Sequence, residues 1–465
     1  MPKEYVLDIN QLKYRKSKAV DDREVCFYLL YEVFETEAFS NLAVKDGKMS
    51  DFTRAMFYGT ITYSFSIDFL VHHIAKKETS EMDPMIRTII RMGVWQIAFS
   101  DKVPPFAAVD TSVELARKTG CGKACSYINA VLRKIASAPK EVFDMDSYKP
   151  EVALSLKPEI YGIFKKDMGK EKALLVGKAL LKSPVLCIRV NTLLTTKLEL
   201  IDSLTSEGIR CKESSFIPET IIIETSGVLL SETKAFKDGW FFVQNEAASL
   251  VGLLAAPKEG DKVLDCCAAP GGKSTHMAEI SKDKAEILAL DINESRLKLI
   301  DENAKRLHIS SVKSMKADST ALNFELKLNG IKEESFDVVL TDVPCSGLGI
   351  MGRKPDIRQS ISFDRISELL PTQERILKQA SSFVKVGGRL IYSTCTLNKA
   401  ENQMQVKKFL EGNDNFKPVD INGLLPEKLV LDEIRVNEAK EGMITLYPDT
   451  DMCDGFFAAV LERVK

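Results

Sequence analysis

Two cysteines in the second half of the chain lie just after predicted strands, a position typical of reactive groups. Cys345 lies in the stretch DVPCSG (342–347) and Cys395 in STCT (393–396), each just after an apolar run typical of a strand. A thiolate is a strong nucleophile, so this pair predicts nucleophilic chemistry. Four other single cysteines lack such a setting, and we interpret them as small buried apolar residues: Cys26, Cys187, Cys211 and Cys453.

Another strand-like run leads into a glycine-rich turn, VLDCCAAPGGK (263–273). Glycines at such a turn let the backbone approach a ligand closely. The dinucleotide fingerprint GxGxxG and the Walker motif are both absent, which points to a nucleoside cofactor without a pyrophosphate. S-adenosylmethionine fits that description. Asp291 ends the next predicted strand, where its carboxylate is suited to accept hydrogen bonds from both ribose hydroxyls. Asp318 follows the strand after that, where it is suited to accept from an adenine amino group.

A thiol beside a methyl donor suits the methylation of a ring carbon. Carbon 5 of cytosine is a poor nucleophile until a thiolate adds to C6 and breaks the conjugation of the ring. Asp342 is expected to hydrogen-bond N3 and the exocyclic amine as the adduct forms. A base must then remove the C5 proton, so two cysteines can divide attack from release. Spacing alone leaves open whether Cys345 or Cys395 attacks.

A sheet must position these residues, because strand-like runs alternate with amphipathic helices from about residue 236 onward. The alternation predicts an α/β, Rossmann-like domain with a parallel, doubly wound sheet. Its strands are predicted at Lys262–Cys266, Ile287–Asp291, Val312–Lys316, Phe336–Thr341, Arg389–Ser393 and Phe456–Leu461. Ligands of such sheets bind at the carboxyl ends of the strands, so the glycine-rich turn and both cysteines are expected at one edge.

The chain before this domain divides into two parts. Residues 1–145 carry apolar stripes at helical spacing, for example after Asp83-Pro84, and predict an all-α domain. Residues 146–235 predict a small α+β connector with a strand at Val185–Val190 and a capping box between Thr196 and Glu199. Residues 236–465 then form the third predicted domain.

Composition narrows the class of protein. The 465 residues are 45% hydrophobic and 28% charged with a net charge of −2, the balance of a soluble globular protein. No apolar run is long enough for a membrane span or a signal peptide, so we expect a cytoplasmic protein. Ten cysteines and four histidines without paired zinc spacing predict reduced thiols and no metal. The segment 115–140 holds six basic residues and no acid, which suits either phosphate contacts or an ordinary solvated helix face.

These motifs resemble those of the Sun/Nop2 group of RNA cytosine-C5 methyltransferases, and within it the bacterial enzymes of small-subunit (16S) ribosomal RNA. The shared motifs are CAAPGGK (267–273), DVPCSG (342–347), KPDIR (354–358), STCT (393–396), EN (401–402) and DGFF (454–457). Before them, 109–118 and 127–133 resemble the helical RNA-binding domain of the antitermination factor NusB, and RVNT (189–192) resembles the RRM-like connector of that subfamily. The resemblance covers nearly the whole chain, more weakly before residue 236.

The resemblance implies roles for individual residues. It makes Cys395 the nucleophile and Cys345 the residue of product release. Cofactor contacts are implied for Cys267, Ala268, Ala269, Pro270, Gly271, Gly272, Lys273, Asp291, Asp318 and Asp342. It also implies unassembled small-subunit ribosomal RNA as the substrate of a monomeric enzyme that needs no metal.

The sequence departs from the family pattern at a few positions, and two alternatives stay open. Val343 stands where the family usually has Ala, Gln359 replaces a common Trp, and Gln244-Asn245-Glu246 replaces Gln-Asp. The first alternative is the same chemistry on transfer RNA or another ribosomal site. The second is an RNA-binding assembly factor with an inactive methyltransferase fold, against which the intact cysteine pair and cofactor turn argue.

Overall fold

The computed structural model describes residues 5–36, 40, 49–214, 216–225, 228–429 and 433–465. The chain packs into two compact units. Unit 1 comprises Met1–Lys182 and Met351–Ser362, and unit 2 comprises Ser183–Ile350 and Phe363–Lys465. Unit 1 thus includes a segment from late in the chain, and the division into domains 1–145, 146–235 and 236–465 stays a prediction.

The helices of the described residues are numbered in chain order. They are α1 (Ile9–Lys18), α2 (Asp22–Thr36), α3 (Asp51–Thr62), α4 (Ser64–Leu70), α5 (Pro84–Ala98), α6 (Pro105–Lys118), α7 (Cys125–Ala136), α8 (Pro150–Ala153), α9 (Pro158–Met168), α10 (Lys170–Ala179), α11 (Lys197–Ser206), α12 (Lys234–Lys237), α13 (Glu246–Ala255), α14 (Gly272–Ile280), α15 (Glu294–Arg306), α16 (Leu322–Leu328), α17 (Ile357–Ser360), α18 (Phe363–Ser381), α19 (Gln403–Glu411) and α20 (Glu433–Lys440).

The strands are numbered in the same way. They are β1 (Leu186–Val190), β2 (Arg210–Glu213), β3 (Thr220–Thr225), β4 (Phe241–Val243), β5 (Lys262–Asp265), β6 (Glu286–Asp291), β7 (Val312–Lys316), β8 (Phe336–Asp342), β9 (Val384–Thr394), β10 (Phe416–Pro418), β11 (Met443–Leu446) and β12 (Phe456–Arg463).

All regular secondary structure among the described residues of unit 1 is helical, as the apolar stripes predict. In α5, Ile86, Ile89, Ile90 and Val94 are all buried in one core, because residues three and four apart share a helix face. Asp83 occupies the N-cap position of this helix, but its side chain makes no capping hydrogen bond. Pro84 instead begins the helix, where a missing N–H costs nothing.

The segment Met351–Ser362 belongs to unit 1 through a buried arginine. The guanidinium of Arg358 is almost fully buried and donates to the carbonyl oxygens of Leu154 (2.8 Å), Ser155 (3.2 Å) and Leu180 (2.9 Å). Burial lowers the pKa of this guanidinium to about 10. Three carbonyl acceptors offset part of its lost hydration, since a buried charge must be hydrogen-bonded.

The first sheet of unit 2 has the strand order β2-β3-β1-β4, with antiparallel neighbours throughout. The predicted strand at Val185–Val190 is confirmed as β1, and the capping box of Thr196 and Glu199 opens α11 as expected. The strand β4 was not predicted, because Phe241–Val243 is only three residues long. It extends the connector sheet past residue 235.

The second sheet has eight strands in the order β10-β12-β9-β8-β5-β6-β7, with β11 paired to β12. The five strands from β9 to β7 are parallel, and all six predicted strands exist. The sheet as a whole is mixed rather than parallel, because β12 runs antiparallel to β9, β10 and β11. Along β8, Val338 and Leu340 pack in one core and Val339 in the other. Both faces are therefore covered, as in a Rossmann-like fold.

Candidate active site

The predicted site residues lie at one edge of the second sheet. The glycine-rich turn follows β5, Asp291 ends β6, Asp318 follows β7, and Asp342 ends β8. Cys395 comes directly after β9. Because these five strands are parallel neighbours, their carboxyl ends share one edge.

The turn after β5 is held by backbone hydrogen bonds, one to the neighbouring strand β6 and one within the turn. The N–H of Ala268 donates to Leu290 O (2.8 Å), and the N–H of Gly271 donates to Ala268 O (2.7 Å). Gly271 has a φ of 95°, in the left-handed region where a side chain is strained. A Cβ on Gly272 would lie 2.9 Å from the Phe242 ring. Both glycines are therefore required by geometry.

Arg189 fixes the helix that this turn opens. Its guanidinium is fully buried and forms a two-point ion pair with Glu279 of α14 (2.9 and 2.7 Å). It also donates to the carbonyl of Gly272 (2.7 Å) and to the hydroxyl of Thr275 (3.1 Å). The sequence indicated Arg189 only as part of the RVNT resemblance, and its anchoring contacts depend on partners more than 80 residues away.

Asp265, the last residue of β5, was not predicted as a site residue. It is fully buried, and Ser274 donates to its Oδ2 (2.6 Å). Its Oδ1 is buried and accepts no hydrogen bond from the described part of the chain. Burial raises the pKa of this carboxyl to about 6. The sequence signal was its position directly before the turn, CCAAPGGK.

Asp291 and Asp318 each organise the loop after their strand. Asp291 is nearly buried, accepts from the N–H of Asn293 (2.9 Å) and pairs with Arg296 (3.1 Å). Asp318 accepts from the N–H and the hydroxyl of Thr320 (both 2.8 Å) through a single oxygen, Oδ1. Carboxylates in these positions retain lone pairs for a further donor.

Lys273 and Asp342 form an ion pair between the turn and β8. The Nζ of Lys273 donates to Asp342 Oδ2 (2.6 Å), and Ser393 donates to Oδ1 (2.8 Å). Lys273 also lies 5.7 Å from the ring centre of Phe456. Burial lowers the pKa of Lys273, but the attraction of Asp342 outweighs it, so the pKa is raised. Lys273 therefore stays a cation beside the turn.

The two cysteines predicted from the sequence are in contact. Their Sγ atoms are 3.2 Å apart, and both residues are half-buried free thiols. The hydrogen bond with Cys395, then burial, raises the pKa of Cys345 well above its usual value. A thiol at position 345 is thus suited to donate to the sulfur at position 395.

Backbone contacts hold Cys395 in place. The N–H of Gly349 donates to Cys395 O (3.0 Å). Asn402 accepts from the hydroxyl of Thr394 (2.6 Å) and donates to Thr396 O (2.9 Å), so it brackets the cysteine on both sides. A Cβ on Gly349 would lie 2.1 Å from Gly455 O. The loop after β9 is therefore fixed by close packing.

The remaining cysteines are free thiols as well. Cys26 and Cys187 are buried as expected, whereas Cys211 and Cys453 are only partly buried. Cys266 is buried, and burial raises the pKa of the neighbouring Cys267 thiol. This pair fills the turn rather than supplying a nucleophile.

Family models match three consecutive parts of the chain. Residues 252–462 match the model of the 16S rRNA methyltransferase RsmB/F, residues 20–137 match the NusB family, and residues 162–228 match the RsmF/B-like ferredoxin-like domain. A Bacillus subtilis strain 168 protein named "Probable ribosomal RNA small subunit methyltransferase B" is 30% identical over 467 residues, covering 96% of this chain and 99% of that one. The chain belongs to the RsmB/F family of 16S rRNA methyltransferases.

Solved structures agree with this membership in the RsmB/F family. The crystal structure of PH0851 is similar with a TM-score of 0.78 and 25% identity, covering 96% of this chain and 99% of that one. NSun6 from Pyrococcus horikoshii, solved with the S-adenosylmethionine analogue SFG, is similar with a TM-score of 0.57 and 25% identity. That match covers 66% of this chain and 98% of NSun6. The predicted fold class, a NusB-like helical part, a small α+β connector and a Rossmann-like methyltransferase part, is confirmed, and the family model describes the connector as ferredoxin-like.

In this RsmB/F family member the basic stretch lies on α6, α7 and their flanks. All six of its basic side chains are exposed: Arg117, Lys118, Lys123, Arg133, Lys134 and Lys140. Lys118 pairs with Glu114 one helical turn away (3.1 Å), and Arg133 donates to Asn129 (3.0 Å). Exposure fits both readings of this stretch, RNA contact and a solvated helix face.

Among the described residues, no helix combines the length and apolar character that a bilayer crossing requires. The described part of the chain also holds no group of three or more His, Cys, Asp or Glu side chains placed to bind a metal ion.

Proposed function

We propose that this enzyme transfers a methyl group from S-adenosylmethionine to carbon 5 of a cytosine in small-subunit ribosomal RNA, through a covalent adduct with Cys395. The observation that carries the proposal is the 3.2 Å contact of the Cys345 and Cys395 thiols beside the turn of β5. Methyltransferases of exocyclic amines do not need a sulfur nucleophile, whereas an unactivated ring carbon does.

The residues at the sheet edge fit S-adenosylmethionine. Asp265 offers a buried carboxylate oxygen without a partner in the described chain, which suits a cationic ammonium group. Asp291 suits the ribose hydroxyls, and Asp318 suits the adenine amino group. We infer that the backbone of Cys267–Lys273 lines the same site, together with Asp342. When bound, this group supplies an electrophilic methyl on a positively charged sulfur.

The cysteines then act on the pyrimidine in two steps. The thiolate of Cys395 forms a bond to C6, and the displaced π electrons make C5 able to accept the methyl group. Cys345 next gives its own proton to water, and the thiolate that results takes the proton from C5. The electrons of that C–H bond restore the C5–C6 double bond, and the C6–S bond breaks with its electron pair returning to Cys395.

Asp342 supports the ring during attack. Its two oxygens already accept from Lys273 and Ser393, but each carboxylate oxygen has a second lone pair. These remaining acceptors suit the exocyclic amine and an N3 that has taken a proton from water. That proton neutralises the negative charge that attack places on the ring, and it returns to water when the C6–S bond breaks.

We further propose that the substrate is unassembled small-subunit RNA, that the enzyme acts in the cytoplasm as a monomer, and that no metal takes part. The printed names of the family model and of the B. subtilis relative support small-subunit RNA as the target. The same chemistry on transfer RNA is the competing outcome.

The test combines sequencing and two substitutions. Bisulfite sequencing of cellular RNA with and without the gene should reveal one small-subunit cytosine that loses its methyl group. Cys395→Ala should abolish methyl transfer while S-adenosylmethionine still binds, and Cys345→Ala should accumulate a covalent protein–RNA adduct on denaturing gels. Normal turnover by Cys395→Ala would refute the assignment, and a lost site in transfer RNA would reassign the substrate.

A further inference from the structure

Glu401 is a buried carboxylate that the mechanism above does not use. It is fully buried at the start of the segment that leads into α19. Its oxygens accept from the N–H and hydroxyl of Ser346 (2.8 and 2.5 Å), the hydroxyl of Thr396 (3.4 Å) and the amides of Gln373 and Asn398 (both 3.0 Å). The five donors satisfy a charge that burial would otherwise destabilise.

Four of these five donors come from the two cysteine loops. Ser346 directly follows Cys345, and Thr396 directly follows Cys395. The hydroxyls of Ser346 and Thr396 also lie 2.7 Å apart, within hydrogen-bonding distance. Gln373 reinforces the first loop from α18 by donating to Pro344 O (2.9 Å). One carboxylate therefore ties together the two loops that carry the thiols.

The charge of Glu401 acts on the thiol of Cys345. None of its donor groups carries a positive charge, so its negative charge acts on the neighbouring thiol. It contributes to the raised pKa of Cys345, after the hydrogen bond with Cys395 and burial. The other titratable groups around the pair are Tyr392, whose pKa burial raises, and the Lys273–Asp342 ion pair, whose cation interacts with Cys395.

We propose that Glu401 is a positioning residue that holds the two thiols together and keeps their shared proton on Cys345. The inference rests on the proposed function. Cys395 is then free to attack as a thiolate, whereas Cys345 must first give its own proton to water before it can take the proton from C5. Release of the product therefore accelerates as the pH rises, and Glu401 sets the pH at which it does so.

Four variants separate the effect of the Glu401 charge from the effect of its geometry. Glu401→Gln removes the charge, and Glu401→Asp keeps it on a shorter side chain. Glu374→Gln makes the same change at an exposed carboxylate on α18 that pairs with Lys408. Ser346→Ala keeps the charge of Glu401 but removes one donor that offsets it.

The first measurement is alkylation of residue 345 by iodoacetamide across pH 6 to 10, followed by peptide mass spectrometry on the full chain. We expect the midpoint for Glu401→Gln to fall by about one pH unit, the size of effect that one nearby charge produces. Glu401→Asp and Glu374→Gln should keep the wild-type midpoint, and Ser346→Ala should raise it. The second measurement is the decay of the adduct formed with S-adenosylmethionine and a small-subunit RNA transcript, whose pH midpoint should move in the same directions.

An unchanged alkylation midpoint in folded Glu401→Gln would overturn the inference. If that variant fails to fold, an unchanged or lowered midpoint in Ser346→Ala overturns it instead. The two proposals fail separately. Turnover by Cys395→Ala refutes the covalent mechanism and leaves the alkylation result standing, whereas a wild-type adduct without a midpoint shift refutes only the role of Glu401.

Discussion

Asp265 offers the sharpest test of the proposed cofactor site, because its buried carboxylate is expected to lower stability and to strengthen binding. Its carboxyl is fully buried, with a pKa raised from the ordinary 3.8 to about 6 by burial. Between those two values the unfolded chain has lost its proton while the folded chain keeps it. Stability of the folded state therefore falls as the pH rises from about 4 to 6, and the loss is complete at pH 7.

The expected size follows from the shift. At about 1.4 kcal/mol per pKa unit, ionised Asp265 costs the folded state about 3 kcal/mol at pH 7. Asp265→Asn removes that charge and keeps the acceptor for Ser274, but its amide must find a partner, at a cost of about 1 kcal/mol. We expect a net gain of about 2 kcal/mol at pH 7 and little or no gain at pH 4. The same variant should bind S-adenosylmethionine at least about tenfold more weakly, because a charge-assisted hydrogen bond is lost.

The assay is urea unfolding followed by circular dichroism at pH 4 to 8, with the difference between variant and wild type taken at each pH so that other titrating groups cancel. Isothermal titration with S-adenosylmethionine supplies the binding half. The exposed Asp301 on α15 provides the control, Asp301→Asn, which should change neither quantity. A stability difference that does not vary with pH would refute the electrostatic reasoning, and unchanged affinity would remove Asp265 from the cofactor site.

Three further predictions follow from buried or paired groups. Arg189→Met should lower the free energy of unfolding by about 3 kcal/mol, because Glu279 is left buried without its cation. The double variant with Glu279→Met should recover most of that loss in the same urea assay, and an equally large loss would contradict it. His276 is buried, and burial lowers its pKa well below 6.5. The free energy of unfolding should therefore decrease as the pH drops from about 6.5, and at pH 5.5 the loss should be about 1.4 kcal/mol larger than in His276→Gln. Parallel curves of unfolding free energy against pH for the two proteins would contradict this. Hydrogen peroxide should join Cys345 and Cys395 in a disulfide, with water as the reduced product, since their sulfurs need to close only from 3.2 Å to about 2.05 Å. Activity should then be lost and dithiothreitol should restore it, whereas loss without a mass change of two hydrogens would exclude the disulfide.

The local pattern of apolar residues predicted the bounds of individual strands and helices well, because those bounds depend on the segment itself. The strand Val312–Lys316 is observed with the predicted bounds, and Phe336–Thr341 is one residue longer. The parallel sheet was only partly right, because whether β12 pairs antiparallel to β9 depends on how the chain returns and not on the apolar run itself. The three-residue strand β4 escaped prediction because it is too short to show a period.

Residue types and their order along the chain determined which reactive groups this protein has. They place a glycine-rich turn after one strand and thiols after two others. The sequence could not rank Cys345 against Cys395 without a resemblance. Only the tertiary structure decided that their sulfurs lie in contact, that Glu401 ties their loops together and that one oxygen of Asp265 has no hydrogen-bond partner in the described chain. Those properties depend on desolvation and on contacts between residues 9 to 90 positions apart. A local stretch of sequence determines neither the burial nor the contacts.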